Sequence, residues 1–269
     1  MSPSELPVSE INDALLAAGL TEDEVNGVIS RSAANTLGLL LYGSRARDDY
    51  QATSDFDILR YTTSWKSPTF KVGRVSVSSY TREQLKSASG TLFGTHLNRD
   101  GIVLLDVGSE LTTIIKEIEP ANPAILLSRV TKYATILHLP MTEKKAHFSG
   151  LVRLARYLLR TAIYATAMTT GQPCFSVRQL AERFNEPRLA TILASDPEIT
   201  GLPSMSLLNE LISTLTDFIG PLPQNEFASL EALATAYWDT DRNLATLAIR
   251  AGSEDAESID YSELPKVLL

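Results

Sequence analysis

The hydrophobic pattern of this chain changes character once, at the segment Glu119–Pro123, and this change constrains the fold more than any other feature. Before it, short apolar runs with strand periodicity alternate with helical segments. After it, the periodicity is helical, with Pro and Gly residues between segments. The sequence therefore predicts an α+β chain. We expect an α/β domain over residues 1–119, an all-α helical bundle over 120–251 and an acidic C-terminal tail over 252–269.

The composition restricts the cellular compartment in which we expect the protein and the kinds of partner that it can bind. Of the 269 residues, 44% are hydrophobic and 21% are charged, and the net charge is −8. This charge argues against general attraction to nucleic acid, although it leaves room for a local basic pocket that binds a triphosphate. The single cysteine, Cys174, cannot form an internal disulfide. Because the sequence has neither a signal-peptide pattern nor roughly 20 consecutive apolar residues, we expect a cytoplasmic protein with no membrane partner.

The first domain carries clear signals of secondary structure. Two short helices are predicted within residues 8–32, and Gly19 suits the end of the first. Thr21 and Glu24 form a capping-box pattern at the start of the second. The remaining segments are predicted as strands Leu37–Tyr42, Phe56–Tyr61, Arg74–Tyr80 and Ile102–Leu105, a helix over Thr81–Leu97, and a helix-compatible stretch Ser44–Tyr50.

Two aspartates near the start of the second predicted strand indicate a metal site. In a strand, residues i and i+2 point to the same side, so Asp55 and Asp57 are expected to project together while Phe56 faces the core. Adjacent carboxylates repel each other, and a divalent cation between them removes the repulsion. Magnesium prefers a few carboxylates together with phosphate oxygens and water. The pair therefore predicts Mg²⁺ and a phosphate-bearing substrate.

A glycine and a serine follow the preceding strand at the right place to bind phosphate. Gly43 permits close approach of the backbone, and Ser44 offers a hydroxyl and could cap a helix beginning there. Backbone N–H groups at a strand-to-helix turn bind anions well. Gly-Ser alone is usually only a turn, and Asp-x-Asp alone occurs by chance. Their combination between two apolar strands favours a functional site.

The stretch LLLYGSRARDDYQATSDFDIL, residues 39–59, resembles the nucleotidyltransferases of the DNA polymerase beta superfamily, and especially the minimal nucleotidyltransferases and their larger bacterial relatives. The segment LFGTHLNRDGIVLLD is also similar to one found in some bacterial members. The resemblance implies a polymerase beta-like domain with a short mixed sheet and flanking helices. It implies that Gly43 and Ser44 bind the β- and γ-phosphates, and that Asp55 and Asp57 hold two magnesium ions, which Mn²⁺ can replace.

Two arginines fall within the same motif. For Arg45 and Arg47, the resemblance makes nucleotide binding through the phosphates one reading. Solvated charges on a short helix are an equally good reading.

The activity that the resemblance implies is transfer of a nucleoside monophosphate from a nucleoside triphosphate to a hydroxyl, with release of pyrophosphate. The acceptor is expected to be a protein or a tRNA in a toxin–antitoxin or phage-defence setting. One alternative is an aminoglycoside-type enzyme that modifies a small molecule. Others are a nucleotide-binding regulator with little or no catalysis and a purely structural partner subunit. The sequence leaves the oligomeric state open.

One position departs from the family pattern. Members of the superfamily often carry a third carboxylate on the next strand, but here that strand, Arg74–Tyr80, carries serines. Glu83, Asp100 and Asp106 are candidates for the missing acid. The acid could also be absent, with the acceptor hydroxyl losing its proton to water.

The second half of the chain offers further cations on one predicted helix. Arg153, Arg156 and Arg160 fall at i, i+3 and i+7, which is one helix face. They are either contacts for phosphate or acceptor, or a solvated face paired with acids. No arginine and histidine form the R-x4–6-H pair of the ribonuclease partners of minimal nucleotidyltransferases. His96, His138 and His147 are expected to be structural or surface residues, and a fused nuclease is not expected.

Overall fold

A computed structural model describes residues 6–253, except for 33, 53, 65–68 and 195–200. The chain divides into two compact units, the first ending at Ala121 and the second beginning at Asn122. The first unit contains a five-stranded mixed sheet with helices around it, and the described part of the second unit is helical. The prediction of an α+β chain is confirmed. Residues 254–269 of the expected acidic tail lie outside the described residues.

The strands of the first unit are joined by helices and turns. Its elements in chain order are α1 (Val8–Ala17), α2 (Glu22–Ser32), β1 (Thr36–Tyr42), β2 (Phe56–Thr62), β3 (Phe70–Val72), β4 (Val75–Tyr80), α3 (Arg82–Ser87), α4 (Leu92–Asp100), β5 (Ile102–Asp106), a 3₁₀ turn (Val107–Ser109) and α5 (Glu110–Glu117). The strand order across the sheet is β3-β4-β2-β1-β5. The β2–β4 pair is parallel, and the other three pairs are antiparallel.

Both faces of the sheet are covered, which explains why the interior strand β1 is almost entirely apolar. All seven residues of β1 are buried. Alternate side chains of β1, β2 and β4 pack on one face with α1 and α2, as Ile58 and Val77 do. The opposite set, including Leu40 and Leu59, packs on the other face with α3, α4 and α5. A strand buried on both faces has no polar stripe, so the sequence shows it as a continuous apolar run.

The local signals at the N-terminus are confirmed. Gly19 follows α1 at a φ of 94°, a conformation that glycine adopts without steric cost. The N–H of Thr21 donates to Glu24 Oε2 at 3.0 Å, and the N–H of Glu24 donates to Thr21 Oγ1 at 3.3 Å. These reciprocal bonds satisfy two donors at the start of α2. Because the Thr21 N–H bonds the Glu24 carboxylate, the pKa of Glu24 is lowered, although burial opposes this effect.

Two predictions for the first unit are wrong in detail. The helix expected over Thr81–Leu97 is two helices, because the chain turns between Ala88 and Thr91 with Gly90 at a φ of 73°. Thr81 and Thr91 cap the two helices separately. The three-residue strand β3 was not expected, since a strand that short carries almost no periodicity.

The second unit is built around one long, mostly buried helix. Its described elements are α6 (Pro123–Tyr133), a 3₁₀ turn (Ala134–Leu137), α7 (Met141–Ala146), α8 (Phe148–Thr169), α9 (Val177–Arg183), α10 (Arg188–Ile192), α11 (Met205–Ile219), α12 (Leu230–Tyr237) and α13 (Arg242–Gly252). Helix α8 packs against α6, α11 and α13. Among the described residues, no helix combines the length and apolar character needed to cross a bilayer.

Candidate functional site

Gly43 lies directly beside the carboxylate of Asp57. Strand β1 ends at Tyr42, which pairs in register with Asp57 of the antiparallel neighbour β2. Gly43 follows with a φ of 81°, and a Cβ placed on it would overlap Asp57 Oδ2. Glycine is therefore needed here for two reasons, the left-handed backbone and the space taken by the carboxylate. The register of two strands brings the expected phosphate-binding residue against the expected metal ligand.

The two aspartates differ in their surroundings. Asp57 lies within β2 and is half-buried, whereas Asp55 precedes the strand and is exposed. Because Phe56 and Ile58 pack toward α1 and α2, alternation turns Asp57 to the opposite face of the sheet. Oδ2 of Asp55 accepts a charged hydrogen bond from Nζ of Lys71 on β3, at 2.9 Å.

Ser44 begins a turn rather than a helix, which corrects the expectation for Ser44–Tyr50. The N–H of Asp49 donates to the Ser44 carbonyl at 3.1 Å, and Asp48 adopts a φ of 57°. A left-handed residue interrupts helical propagation, and aspartate tolerates that conformation better than most residues do. Ser44 therefore caps no helix, and no helix N-terminus contributes to anion binding here. The half-buried Ser44 hydroxyl and the turn amides remain the candidate phosphate donors.

Arg45 holds the segment that leads to Asp55. Its guanidinium donates to the backbone carbonyls of Ala52 and Ser54, through bonds of 3.0 to 3.4 Å. It also stacks on two aromatic rings, 4.1 Å from the centroid of Tyr50 and 4.3 Å from that of Phe56. The reading of Arg45 as a solvated helix charge is wrong. Arg45 connects the loop between Gly43-Ser44 and the two aspartates to Phe56, the first residue of β2.

Arg47 ties the same turn to α4. Its Nη1 lies 2.8 Å from Nε2 of His96 and 3.6 Å from the carboxylate of Asp100, and its Nη2 lies 3.3 Å from Asp49. Since the arginine nitrogen can only donate, Nε2 of His96 accepts and its proton is assigned to Nδ1. Burial raises the pKa of Asp100, while Arg99 and Arg47 oppose the rise. The solvated reading of Arg47 is therefore also wrong, because its side chain is mostly buried among these partners.

Strand β4, which pairs with β2, carries a serine at the position where the family resemblance led us to expect a carboxylate. Ser76 pairs in register with Asp57 across the parallel β2–β4 ladder, so the two side chains lie next to each other on one face. Of the three substitutes, Asp106 uses both carboxylate oxygens to accept the N–H groups of Leu111 and Thr112. Asp100 belongs to the Arg47 cluster, and Glu83 is exposed on the first turn of α3.

The two aspartates supply only part of the ligands that a magnesium ion needs, and a phosphate-bearing substrate would have to supply others. Among the described residues, no three histidine, cysteine or carboxylate side chains come together to hold a metal. Magnesium in phosphate-transfer sites is commonly held by one or two carboxylates plus substrate phosphates and water. Asp57 beside the Gly43 backbone, with Asp55 two residues earlier, supplies such a partial set. The donor set therefore fits a metal that arrives with a phosphate-bearing ligand.

The arginines of α8 hold the ends of other helices in the second unit. Nη2 of Arg153 donates to the Ser253 carbonyl after α13 at 3.0 Å, and Nε of Arg156 donates to the Ile192 carbonyl of α10 at 3.0 Å. Arg160 donates to the carbonyl of Leu193. Burial lowers the pKa of Arg153 and of Arg156. The interpretation as a solvated face paired with acids is wrong, because the three side chains are half-buried and bond carbonyls at helix C-termini.

Lys71 is the site residue that the sequence did not reveal. It lies on β3, the short edge strand that periodicity missed, sixteen residues from its partner Asp55. A lone lysine between apolar residues is an ordinary edge-strand pattern. The pairing of β3 with β4 brings Lys71 to the candidate site, where its Nζ contacts Asp55.

Known proteins provide no further identification. The chain matches no protein-family model and no curated protein. The resemblance to the polymerase beta superfamily therefore rests on the residues of the motif alone.

Proposed function

We propose that this protein is a magnesium-dependent nucleotidyltransferase with a polymerase beta-like domain at its N-terminal end. The observation that supports this most directly is the apposition of Gly43 and Asp57, which a structural turn does not need. The carboxylate of Asp57, a possible metal ligand, lies directly against the positive-φ backbone that we propose binds phosphate. Such a combination suits a metal-bound phosphate.

The reaction we propose is attack of a hydroxyl oxygen on the α-phosphorus of a nucleoside triphosphate. A bond forms between that oxygen and phosphorus, and the bond to the bridging oxygen of the β-phosphate breaks. Pyrophosphate leaves with the electron pair. The backbone at Gly43 and the Ser44 hydroxyl would bind the distal phosphates, and Asp55 and Asp57 would hold one or two Mg²⁺ ions, or Mn²⁺. The metal would supply charge neutralisation at the phosphates, the main requirement of this chemistry.

The acceptor proton has no carboxylate to receive it on the neighbouring strand. Ser76 stands beside Asp57 at the place where an acid would act as a base. The proton of the acceptor hydroxyl would therefore pass to solvent water. This route makes the enzyme slow, because general base catalysis contributes about 10²- to 10⁴-fold where it is present.

The acceptor we propose is a protein or a tRNA in a toxin–antitoxin or phage-defence setting. Residues 1–119 would form the catalytic domain, and the helical residues 120–251 would select the acceptor. A small-molecule acceptor such as an aminoglycoside is the alternative. The reaction and the site residues are the same for all these acceptors.

A second function is favoured by one observation, the serine in register with Asp57. A protein that binds nucleotide without transferring it needs the Gly43 turn and the aspartates but no base. Such a regulator would bind the metal–nucleotide complex and release it unchanged.

Nucleotide binding is the first prediction of this proposal. Each of the four nucleoside triphosphates, with Mg²⁺, is added to the protein, and the melting temperature is measured. A ligand at a hundredfold excess over its Kd stabilises the folded state by about 2.7 kcal/mol, so at least one nucleotide should raise the melting temperature by several degrees. Excess chelator should abolish the rise. A rise of equal size in chelator would remove the metal from the mechanism, and no rise with any nucleotide would contradict both functions.

A further inference from the structure

Lys71 donates a charged hydrogen bond to one of the two carboxylates of the candidate metal site. Its Nζ lies 2.9 Å from Oδ2 of Asp55, and the two side chains are 57% and 45% exposed. The Lys71 backbone is anchored, because β3 pairs with β4 and the Lys71 carbonyl accepts a bond from Arg31. A flexible four-carbon stem thus extends from a fixed strand to an exposed carboxylate.

The strand registers place Lys71 in one row with the other site residues. Lys71 pairs with Ser76 across β3–β4, Ser76 pairs with Asp57 across β2–β4, and Asp57 pairs with Tyr42 across β1–β2. Residues directly opposite each other in a ladder point to the same face. The Lys71 ammonium therefore extends along the face that carries Asp57, over the strand where serine replaces the acid.

An exposed ion pair usually says little about function. The Lys71–Asp55 pair is informative because Asp55 belongs to the candidate metal site. Such pairs contribute only about 0–1 kcal/mol to stability, so the Lys71–Asp55 pair is no strong structural contact. Asp55, however, is a candidate magnesium ligand. The Lys71 ammonium lies 2.9 Å from Oδ2 of Asp55, and it would compete with a divalent cation for this carboxylate because the two positive charges repel each other.

We infer that Lys71 is the triphosphate-binding lysine of this site. Its ammonium pairs with Asp55 in this structure, and it moves to a phosphate oxygen when a metal–triphosphate complex binds. The triphosphate supplies the negative charge that replaces Asp55, and the exposed stem lets Nζ swing between the two partners. The serine at position 76 leaves the path open, since an acid there would hold the ammonium in place. This inference rests on the proposed nucleotidyltransferase site.

The test separates metal binding from phosphate binding. Binding of Mn²⁺ is measured by electron paramagnetic resonance, first alone and then with inorganic tripolyphosphate, a probe that needs no choice of base. The variants are Lys71→Gln, Lys71→Arg and the matched control Lys116→Gln, an exposed lysine on α5 of the same unit. For Lys71→Gln, Mn²⁺ alone should bind up to about fivefold more tightly, because a competing cation of an exposed pair is removed. The Mn²⁺–tripolyphosphate complex should bind about tenfold more weakly, because a charge-assisted bond is lost.

Each outcome decides the inference. Changes of opposite sign in Lys71→Gln, with partial recovery of the complex in Lys71→Arg and none of these changes in Lys116→Gln, support it. If Lys71→Gln and Lys116→Gln bind both ligands with the same affinity, the inference about Lys71 is overturned. The proposed function still stands in that case, provided that the wild-type protein binds the complex. Tighter binding of both ligands would make Lys71 only a competitor of the metal, and weaker binding of both would make it structural. If the wild-type protein binds neither ligand, the proposed function fails and the inference fails with it.

Discussion

At Gly43, backbone conformation and side-chain space are separate requirements that can be tested apart. The positive φ disfavours every residue with a Cβ, and the neighbouring carboxylate of Asp57 excludes the Cβ itself. Gly90 has nearly the same φ, 73°, but a Cβ there would have no heavy atom within 4 Å. The two glycines thus form a matched pair within one unit.

Gly43→Ala should therefore differ from Gly90→Ala. The left-handed backbone should cost each variant roughly 1–2 kcal/mol of unfolding free energy. Overlap with Asp57 should add about 1–3 kcal/mol in Gly43→Ala alone and displace the carboxylate. Urea denaturation measures the stabilities, and the melting-temperature rise with Mg²⁺ and nucleotide measures binding. Gly90→Ala should keep that rise and Gly43→Ala should lose it. Equal stabilities with nucleotide binding retained in both would show that the contact with Asp57 is incidental.

The turn from Gly43 to Asp49 is an element that sequence patterns describe poorly. Its polar residues suit a helix, yet Asp48 takes a left-handed conformation and the chain folds into turns. Contacts outside the turn accompany this conformation, since Arg45 bonds carbonyls of the following loop and Arg47 contacts His96 on α4. Local propensity cannot anticipate contacts with residues about 50 positions away.

The structural role of Arg156 on helix α8 can be tested by substitution. Arg156 donates to the Ile192 carbonyl at the end of α10. Arg156→Glu should destabilise the protein by roughly 2 kcal/mol or more, because it removes a charged hydrogen bond and sets a carboxylate against a helix C-terminus. Arg156→Lys keeps the charge and should lose less. Denaturation curves of both variants make the comparison.

The same arginine decides between the two roles considered for this helix face. A role in packing predicts that Arg156→Glu lowers stability and leaves nucleotide affinity unchanged at temperatures where the variant is folded. If stability were unchanged while nucleotide or acceptor affinity fell, Arg156 would be a ligand contact.

Across the whole molecule, the parts that sequence could predict are those set by local pattern. The apolar run of β1, the capping box at Thr21 and the helical second half all depend on neighbouring residues, and all are found. The apposition of Gly43 with Asp57 and the pairing of Lys71 with Asp55 depend on strand register. Register joins segments that are distant in the chain, so spacing alone cannot show which side chains meet.

Transfer of the α-phosphate is the reaction that the proposed function requires. Wild-type protein is incubated with Mg²⁺, a cell extract and each nucleoside triphosphate carrying radioactive phosphorus at the α position. Parallel reactions carry the label at the γ position. The controls are Asp55→Ala and Asp57→Ala, which should remain folded because each removes one of two like charges.

We expect α-label, and not γ-label, to become attached to a protein, RNA or small-molecule acceptor. Both aspartate variants should lose this transfer while melting close to the wild type. Attachment of γ-label would indicate a kinase instead. Absence of transfer with all four nucleotides, or transfer that persists in Asp57→Ala, would contradict the assignment of Asp55 and Asp57 as the metal-binding pair of a nucleotidyltransferase.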